Sequence, residues 1–263
     1  LGAPIFERGT TPVSLTPAGQ IYVQAARRFL QIEAQMNESL AALSGRQTGL
    51  LRLGLPMQRA DELLPQVLPE FQSAYPDVRL QAVSARNDAL EAGLLGGELD
   101  MALLFGEAEN EKLDYQLIAS DEVILVAGRK TALAQRVPSG STVSLSACEG
   151  EKFVLPAENL PFARKYDELL ARAALSPFVA LRTDDSQCAK RVCAACSLVM
   201  LCPFITLLSD TSAMQQLAHY RLSDAFYTPL YMAHPKDMPL TPYAQTLYTI
   251  MSNRFRAMTA YRL

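Results

Sequence analysis

A single apolar stripe runs through the first part of the chain after a short N-terminal segment. Its members recur at intervals of three and four residues, which is the period of an α-helix: Ile21, Ala25, Phe29, Ile32, Met36, Leu40 and Leu43. The opposite face is polar and carries Gln24, Arg27, Gln31, Gln35 and Glu38. Because no globular core lies nearby in sequence to cover the stripe, we predict that the same helix of a second chain covers it.

The segment before this helix has the pattern of a small β-hairpin. Two apolar stretches, Ile5-Phe6 and Val13–Leu15, flank the turn residues Gly9 to Pro12. Thr16 is expected to cap the helix, with Pro17 at its first position. At the other end, Gly45 is the expected C-cap and a short hinge follows it.

From Leu51 onward, short apolar runs alternate with amphipathic segments. The β-α-β-α-β order predicts a parallel sheet flanked by helices, with strands at Leu51–Leu55, Val78–Val83 and Leu99–Phe105 and helices at Asp61–Tyr75 and Asn87–Leu95. A strand at Glu122–Ala127 follows. A second unit of the same kind is predicted from about Arg129, with strands Phe153–Leu155, Phe178–Arg182 and Leu198–Cys202, helices Phe162–Ala174 and Asp184–Ala195, and another helix near Phe204. Strand Tyr227–Ala233 and helix Thr241–Met258 close the chain.

The composition excludes several classes of protein. Twenty-four basic and 27 acidic residues give a net charge of −3, which does not by itself predict nucleic-acid binding. The N-terminus lacks the pattern of a secretory signal. The most apolar stretch, Val192–Leu208, is interrupted by Ser197 and Pro203 and predicts a buried strand between two helices rather than a membrane span. Five cysteines without a secretory signal indicate reduced thiols in a cytosol.

The motif Cys193-Ala194-Ala195-Cys196 has the spacing of a redox pair. It lies at the end of an apolar helix, whereas a reactive thiol needs an exposed helix N-terminus, so small buried thiols are the favoured interpretation. His219 and His234 have no metal-ligand spacing with these cysteines. No nucleophile, phosphate-loop or dinucleotide motif is present. We therefore expect neither an enzyme nor a cofactor.

Open α/β sheets bind ligands beyond the carboxyl ends of their strands. The loops in that position are Pro56–Ala60, Ser84–Asn87, Pro156–Pro161 and Thr183–Ser186, and Phe105-Gly106 and Pro203-Phe204 would form walls. The alternative is that these loops only cap helices, as the positions of Asp184 and Asp185 suggest. Arg59 and Arg86 fit either an anion or a solvated surface. The predicted ligand contacts are Met57, Gln58, Arg59, Ser84, Arg86, Asn87, Phe105, Gly106, Asn159, Leu160, Thr183, Ser186 and Phe204.

The N-terminal motif resembles a known family. Phe6-Glu7-Arg8, a short turn and Val13-x-Leu15-Thr16-x-Ala18-Gly19 resemble the wing and linker-helix start of the LysR-type transcriptional regulators. Leu51–Gly54, Leu63–Pro65, Phe71-x-x-x-Tyr75-Pro76, Gly97–Ala102 and Val192–Pro203 resemble later parts of the same family. The last of these departs from the family pattern at Cys196 and Leu198, where the family usually has glycines.

The resemblance implies an α/β fold with two subdomains of periplasmic-binding-protein type, parallel-rich sheets and crossing hinge strands, preceded by a β-hairpin wing and a long linker helix. The implied division is 1–44 for wing and dimerisation helix, 45–50 for hinge, 51–128 plus 228–263 for subdomain I, and 129–227 for subdomain II. A small metabolite is expected in the cleft between the subdomains. The implied dimer contacts of the linker helix are Ile21, Ala25, Phe29, Ile32, Met36 and Leu40.

The resemblance also implies partners. The chain begins at Leu1 without the family's recognition helix, so Arg8 is expected to contact only the DNA backbone, and operator binding is expected of the full-length protein. We expect a cytoplasmic homodimer or homotetramer that senses a small effector and has no membrane partner. Two alternatives remain open: a solute-binding protein of a transport system, which needs a signal peptide, and a thiol-based redox sensor.

Overall fold

The computed structural model describes residues 2–7, 12–43, 47–106, 108–158, 160, 162–208 and 215–260. Its first described feature is the predicted hairpin: Phe6 and Leu15 form an antiparallel bridge, and the Glu7 N–H donates to the Ser14 carbonyl at 2.9 Å. This pairing confirms the hairpin. Arg8 and most of the predicted turn, residues 9–11, lie outside the described residues.

The long helix is confirmed as α1, Pro17–Leu43. Thr16 caps it as expected, because its Oγ1 accepts a hydrogen bond from the Gly19 N–H at 2.9 Å. Gly19 is required here: a Cβ at this position would lie 1.9 Å from the Ile5 carbonyl oxygen. The sequence Thr16-Pro17-x-Gly19 therefore fixes both the start of the helix and the approach of the hairpin to it. The expected C-cap, Gly45, lies outside the described residues.

The chain divides into two compact units. Unit 1 comprises residues 1–104, 108–116 and 231–251, and unit 2 comprises residues 105–107, 117–230 and 252–263. Apart from one strand that continues into unit 2, the elements that begin in unit 1 are α1, β1 (Gly49–Pro56), α2 (Met57–Ala74), β2 (Val78–Ala85), α3 (Asn87–Leu95), β3 (Met101–Phe105) and α8 (Pro242–Ala260). β1 pairs in parallel with both β2 and β3, which confirms the predicted parallel sheet.

Unit 2 contains β4 (Leu113–Gly128), α4 (Ala132–Arg136), β5 (Thr142–Val143), a 3-10 helix (Leu145–Cys148), β6 (Lys152–Pro156), α5 (Ala163–Arg172), β7 (Phe178–Thr183), α6 (Ser186–Cys196), β8 (Val199–Pro203), α7 (Phe204–Leu208), β9 (Leu217–Leu222) and β10 (Phe226–Pro235). β6 runs parallel to β7 and β8. β4 runs antiparallel to β8 and β9. Both β4 and β10 continue into unit 1.

The core of unit 2 lies on both faces of its sheet. Val123, Leu125 and Ala127 belong to one buried cluster, and the intervening Ile124 and Val126 belong to another. Successive residues of a strand point to opposite faces, so a run of apolar residues is what a strand covered on both sides requires.

Helix α2 contains two internal prolines, Pro65 and Pro69. Its buried face carries Leu63, Val67 and Phe71, all at 1% exposure or less. These residues recur every four positions, so the inward face is continuous while both prolines lie at exposed positions.

Some predicted boundaries are wrong. The segment Pro56–Ala60 is not a loop, because α2 begins at Met57 directly after β1. β4 begins at Leu113, nine residues before the predicted start at Glu122. The sequence analysis also missed α4 and β9. Val192–Leu208 does contain a strand between two helices, as predicted. Within the described ranges, no helix combines the length and apolar character needed to cross a membrane.

Candidate functional site

In unit 1, two of the segments predicted to bind the ligand begin side by side at the ends of β1 and β2. Leu55 is the register partner of Ser84, and Pro56 is the partner of Ala85. Because β1 and β2 are parallel, both strands end at the same edge of the sheet, where α2 and α3 begin. Helix N-termini and free backbone N–H groups at such an edge suit polar or anionic ligand groups.

The two arginines of this edge have different environments. Arg59, in the first turn of α2, is only 2% exposed, so the solvated-surface interpretation is wrong for it. Arg86 precedes α3 and has a half-exposed side chain, with its Nε 3.4 Å from Asp88 Oδ1. Ser84 is exposed and Asn87 is half-buried. The side chains of Met57 and Gln58 lie outside the description.

In unit 2, three predicted loops also leave the sheet at one edge. Pro156 is the register partner of Thr183, and the Ala157 N–H donates to the Thr183 carbonyl at 2.9 Å. β8, parallel to β6, ends at the same edge, and α7 begins there with the half-buried Phe204. Leu160 is half-buried, while Asn159 lies outside the described residues.

The loop before α6 is organised by Asp185. Its Oδ1 accepts hydrogen bonds from the Gln187 and Cys188 N–H groups at 2.9 and 3.0 Å, which confirms the predicted helix cap. The Asp185 N–H donates to Thr183 Oγ1 at 3.1 Å. The Ser186 hydroxyl is buried and makes no hydrogen bond within the described structure. Ser186 thus offers a hydroxyl that the fold does not use.

The loop after β6 is braced by Arg182. Its Nη1 donates to the Pro156 carbonyl at 3.0 Å, and its Nη2 donates to Asp167 Oδ1 at 3.1 Å. A planar guanidinium with two fixed partners holds the carboxyl end of β6 against α5. The backbone at this edge of unit 2 is therefore held in place by protein contacts alone.

Two buried charged residues that the sequence analysis missed hold α7. Asp121 and Lys190 are each 1% exposed. Asp121 Oδ1 lies 3.4 Å from the Ile205 N–H nitrogen, and Lys190 Nζ donates to the Thr206 carbonyl at 2.9 Å. In the sequence, Lys190 follows Ser186 by one helical turn and resembles an ordinary surface lysine, so no pattern marked it.

Gly106 follows β3 with a φ of +94°, a conformation that side-chain-bearing residues rarely adopt. Its N–H donates to the Pro229 carbonyl at 3.1 Å. Gly106 and the neighbouring Phe105 are half-buried. The glycine therefore allows a turn of the backbone at the end of β3. This is the position at which the sequence predicts a wall of the ligand site.

The five thiols differ in burial. Cys193 is buried, as predicted, but Cys196 is exposed, so the prediction of two buried thiols is wrong for Cys196. Burial raises the pKa of Cys193, and burial also raises the pKa of Cys148 to about 12. A reactive thiol needs a lowered pKa. Among the described residues, no group of three His, Cys, Asp or Glu side chains is placed to hold a metal ion.

The apolar stripe of α1 is exposed in the single chain. Phe29 is 77% exposed and Ile32 is 55% exposed, values that a folded protein rarely tolerates for a row of large apolar residues. The same holds for Ile21, Met36 and Leu40, and Ala25 is also exposed. The predicted dimer residues are therefore all available to a partner.

Comparisons with known proteins identify relatives of the chain. Residues 44–256 match the family described as the LysR substrate binding domain. The uncharacterized HTH-type transcriptional regulator YybE of Bacillus subtilis (strain 168) is 24% identical over 195 residues, which cover 74% of this chain and 65% of YybE. The match thus spans less than two thirds of that relative.

Solved structures share the fold. A full-length OxyR variant from Pseudomonas aeruginosa superposes with a TM-score of 0.75 at 18% identity, covering 97% of this chain and 80% of OxyR. The effector binding domain of BenM with its effector benzoate has a TM-score of 0.67 at 20% identity, covering 81% of this chain and 94% of that domain.

Proposed function

Because this chain belongs to the LysR substrate-binding domain family, we propose that it is the effector-sensing part of a LysR-type transcriptional regulator. The family match, over residues 44–256, confirms the resemblance of the later motifs. The relatives are longer than the matched segment, so operator binding by the full-length protein is part of the proposal. The site of action proposed for such a regulator is the cytoplasm.

We propose that the effector is a small polar metabolite with an apolar portion, bound by the loops at the carboxyl ends of the strands in each unit. The observation that carries this is the buried Ser186 hydroxyl, which makes no hydrogen bond within the described structure and lies in a loop that Asp185 orders, while Arg182 braces the neighbouring loop after β6. In unit 1, the buried Arg59 supplies positive charge. A few fixed polar groups with apolar walls such as Phe204 suit a ligand of this size. No cofactor is proposed.

We also propose that α1 pairs with a second copy of the chain through its exposed stripe. A stripe at helical spacing is covered most economically by an identical stripe, as in coiled coils. A dimer or a higher assembly of dimers satisfies this surface.

The alternatives have less support. A solute-binding protein has no use for α1 and its exposed stripe. A thiol sensor needs a low-pKa cysteine next to a resolving partner, whereas burial raises the pKa of Cys193. The likeness to OxyR, at 18% identity, concerns the fold alone.

A metabolite screen by thermal shift tests effector binding. Small carboxylates, including benzoate, and phosphates are added to the 263-residue chain; a ligand at a hundred times its Kd stabilises the folded state by about 2.7 kcal/mol. Arg59→Met should lose the shift given by an anionic hit, while Arg79→Met, at an exposed position early in β2, should keep it. An anionic hit whose shift survives in Arg59→Met, or the absence of any hit, contradicts the proposed site.

A further inference from the structure

The polar face of α1 lies against other elements of unit 1. Gln24 Nε2 donates to the Leu95 carbonyl at 2.7 Å. Gln31 is only 5% exposed, and its Nε2 donates to Asp100 Oδ1 at 2.6 Å. Two amide side chains spaced seven residues apart therefore hold one face of α1 on the segment between α3 and β3.

Two ion pairs extend this contact. Arg27 pairs with Glu98, and Arg28 Nη2 lies 3.1 Å from Asp237 Oδ1. All four residues belong to unit 1. Because Asp237 lies in the turn between β10 and α8, α1 is fastened to two separate turns of the unit.

Glycine at position 97 permits this close approach. Gly97 has a φ of +72°, and a Cβ there would lie 3.1 Å from Gln31 Oε1 and 3.4 Å from the Arg28 backbone nitrogen. The motif Gly97-Glu98-Leu99-Asp100 thus supplies an approach for the helix backbone, an anion for Arg27 and an acceptor for Gln31. We call Gly97–Asp100 the docking turn.

The contact is polar, and its two ion pairs are open to water, whereas the Gln31 side chain that bonds Asp100 is buried. The side chains of Arg27 and Glu98 are 49% and 54% exposed, and that of Asp237 is 61% exposed. Exposed ion pairs contribute little to stability and are screened by salt. The apolar stripe, which would give a permanent attachment, points away and remains exposed. Two of the contacts that hold the helix to its own unit, the ion pairs of Arg27 and Arg28, are therefore weak enough to open.

We propose that the docking turn is a reversible latch that holds the α1 helix of the same chain through Arg27, Gln31 and the backbone at Gly97. α1 exchanges between a docked and a released state, and the exposed stripe stays available to a second copy in both. This device goes beyond effector sensing, because it operates whichever metabolite the loops bind. Through it, charged and polar contacts connect the effector-binding domain to the helix that we propose pairs with a second copy.

Hydrogen exchange of the α1 amides, measured by mass spectrometry on the 263-residue chain without effector, tests the latch. Arg27→Glu and Glu98→Arg should each speed exchange in residues 20–34 about two- to fivefold, because each breaks an exposed ion pair. The double variant Arg27→Glu/Glu98→Arg should return to the wild-type rate. Glu33→Arg, a matched charge reversal on another side of α1, should leave the rate unchanged.

Salt provides a second measurement. Raising NaCl from about 50 mM to about 500 mM should speed α1 exchange in the wild type through screening. None of the variants alters the apolar stripe, so we expect all of them to have the same oligomeric mass as the wild type. Exchange in both single variants equal to the wild type, or a double variant no slower than the singles, overturns the latch. Effector binding is untouched by either result, since no effector is present.

Discussion

Arg52 and Asp100 are joined by two hydrogen bonds that run in opposite directions. The Asp100 N–H donates to the Arg52 carbonyl at 2.9 Å, and the Arg52 N–H donates to Asp100 Oδ2 at 2.7 Å. The other carboxylate oxygen accepts from Gln31. One side chain therefore ties the docking turn both to β1 and to α1.

Asp100→Asn should destabilise the chain. An asparagine has one acceptor oxygen, so either the Arg52 N–H or the Gln31 amide loses its partner, at a cost of about 1–3 kcal/mol. Burial raises the pKa of Asp100, yet the two donors favour its charged form. Urea unfolding monitored by circular dichroism measures the loss. Asp77→Asn, on an exposed turn, is the control, and equal midpoints for both variants would show that the carboxylate is not needed.

Ile32→Glu should dissociate the predicted α1 pair. The substitution places a charge in an apolar seam, which costs on the order of a few kcal/mol per buried carboxylate. The molar mass of the chain in light scattering should fall by half or more. Gln20→Glu adds the same charge to α1 away from the stripe and should leave the mass unchanged. A full-size assembly in Ile32→Glu would exclude the stripe as the contact.

Ser186→Ala and Thr183→Ala should separate binding from stability. The Ser186 hydroxyl has no internal hydrogen bond in the described structure, so its removal should leave the melting temperature unchanged while weakening an effector by roughly ten- to a hundredfold. Thr183→Ala also removes the acceptor of the Asp185 N–H and should lower the melting temperature. Calorimetry with a confirmed effector, beside thermal melts, measures both. Wild-type affinity in Ser186→Ala would place the effector elsewhere.

Two of the five cysteines should react quickly with a thiol reagent in the native chain. Cys188 and Cys196 are exposed, whereas Cys148, Cys193 and Cys202 are buried. Burial raises the pKa of Cys148 to about 12, which keeps the thiol protonated and unreactive. Ellman's reagent should give two fast equivalents, and three more after denaturation. A fast reaction of Cys193 would revive the redox interpretation.

His219 should make the chain less stable in mild acid. Burial, and then the nearby positive Arg129, lower the pKa of His219 below its ordinary value of 6.5. Between the lowered pKa and that value the unfolded chain binds more protons, so stability rises with pH through this window and is lost as pH falls below about 6.5. Between about pH 7.5 and about pH 5.5, the wild type should lose more unfolding free energy than His219→Gln. Equal losses would contradict this.

The sequence predicts most accurately those elements whose hydrophobic pattern continues over many residues. α1 was placed to its first residue because Thr16, Pro17 and an unbroken stripe agree. α2 begins four residues before its predicted start at Asp61, because the polar residues around Arg59 form its first turn rather than a loop. The structure buries Arg59 within the helix. The sequence does not predict β9, whose residues alternate between buried and half-buried positions only from Ala218 onward.

The binding edge was predictable only as far as topology determines it. Strand order places the ends of β1 and β2 together, and those of β6 and β7, because parallel strands leave a sheet at one edge. Lys190 and Asp121 could not be found this way, since burial of a charge depends on tertiary contacts. The burial of Gln31 against Asp100 could not be predicted for the same reason. A polar face on a helix identifies what can face water, not what does.

The two prolines of α2 bear on the order in which the chain folds. Pro65 and Pro69 cannot donate the hydrogen bonds that would reach residues 61 and 65. Each proline costs an isolated helix about 3 kcal/mol, so the segment has little tendency to become helical by itself. The helix must form as Leu63, Val67 and Phe71 reach their buried positions. α2 is therefore expected to take shape late, on a sheet already assembled, while α1 can begin to form from its own local signals.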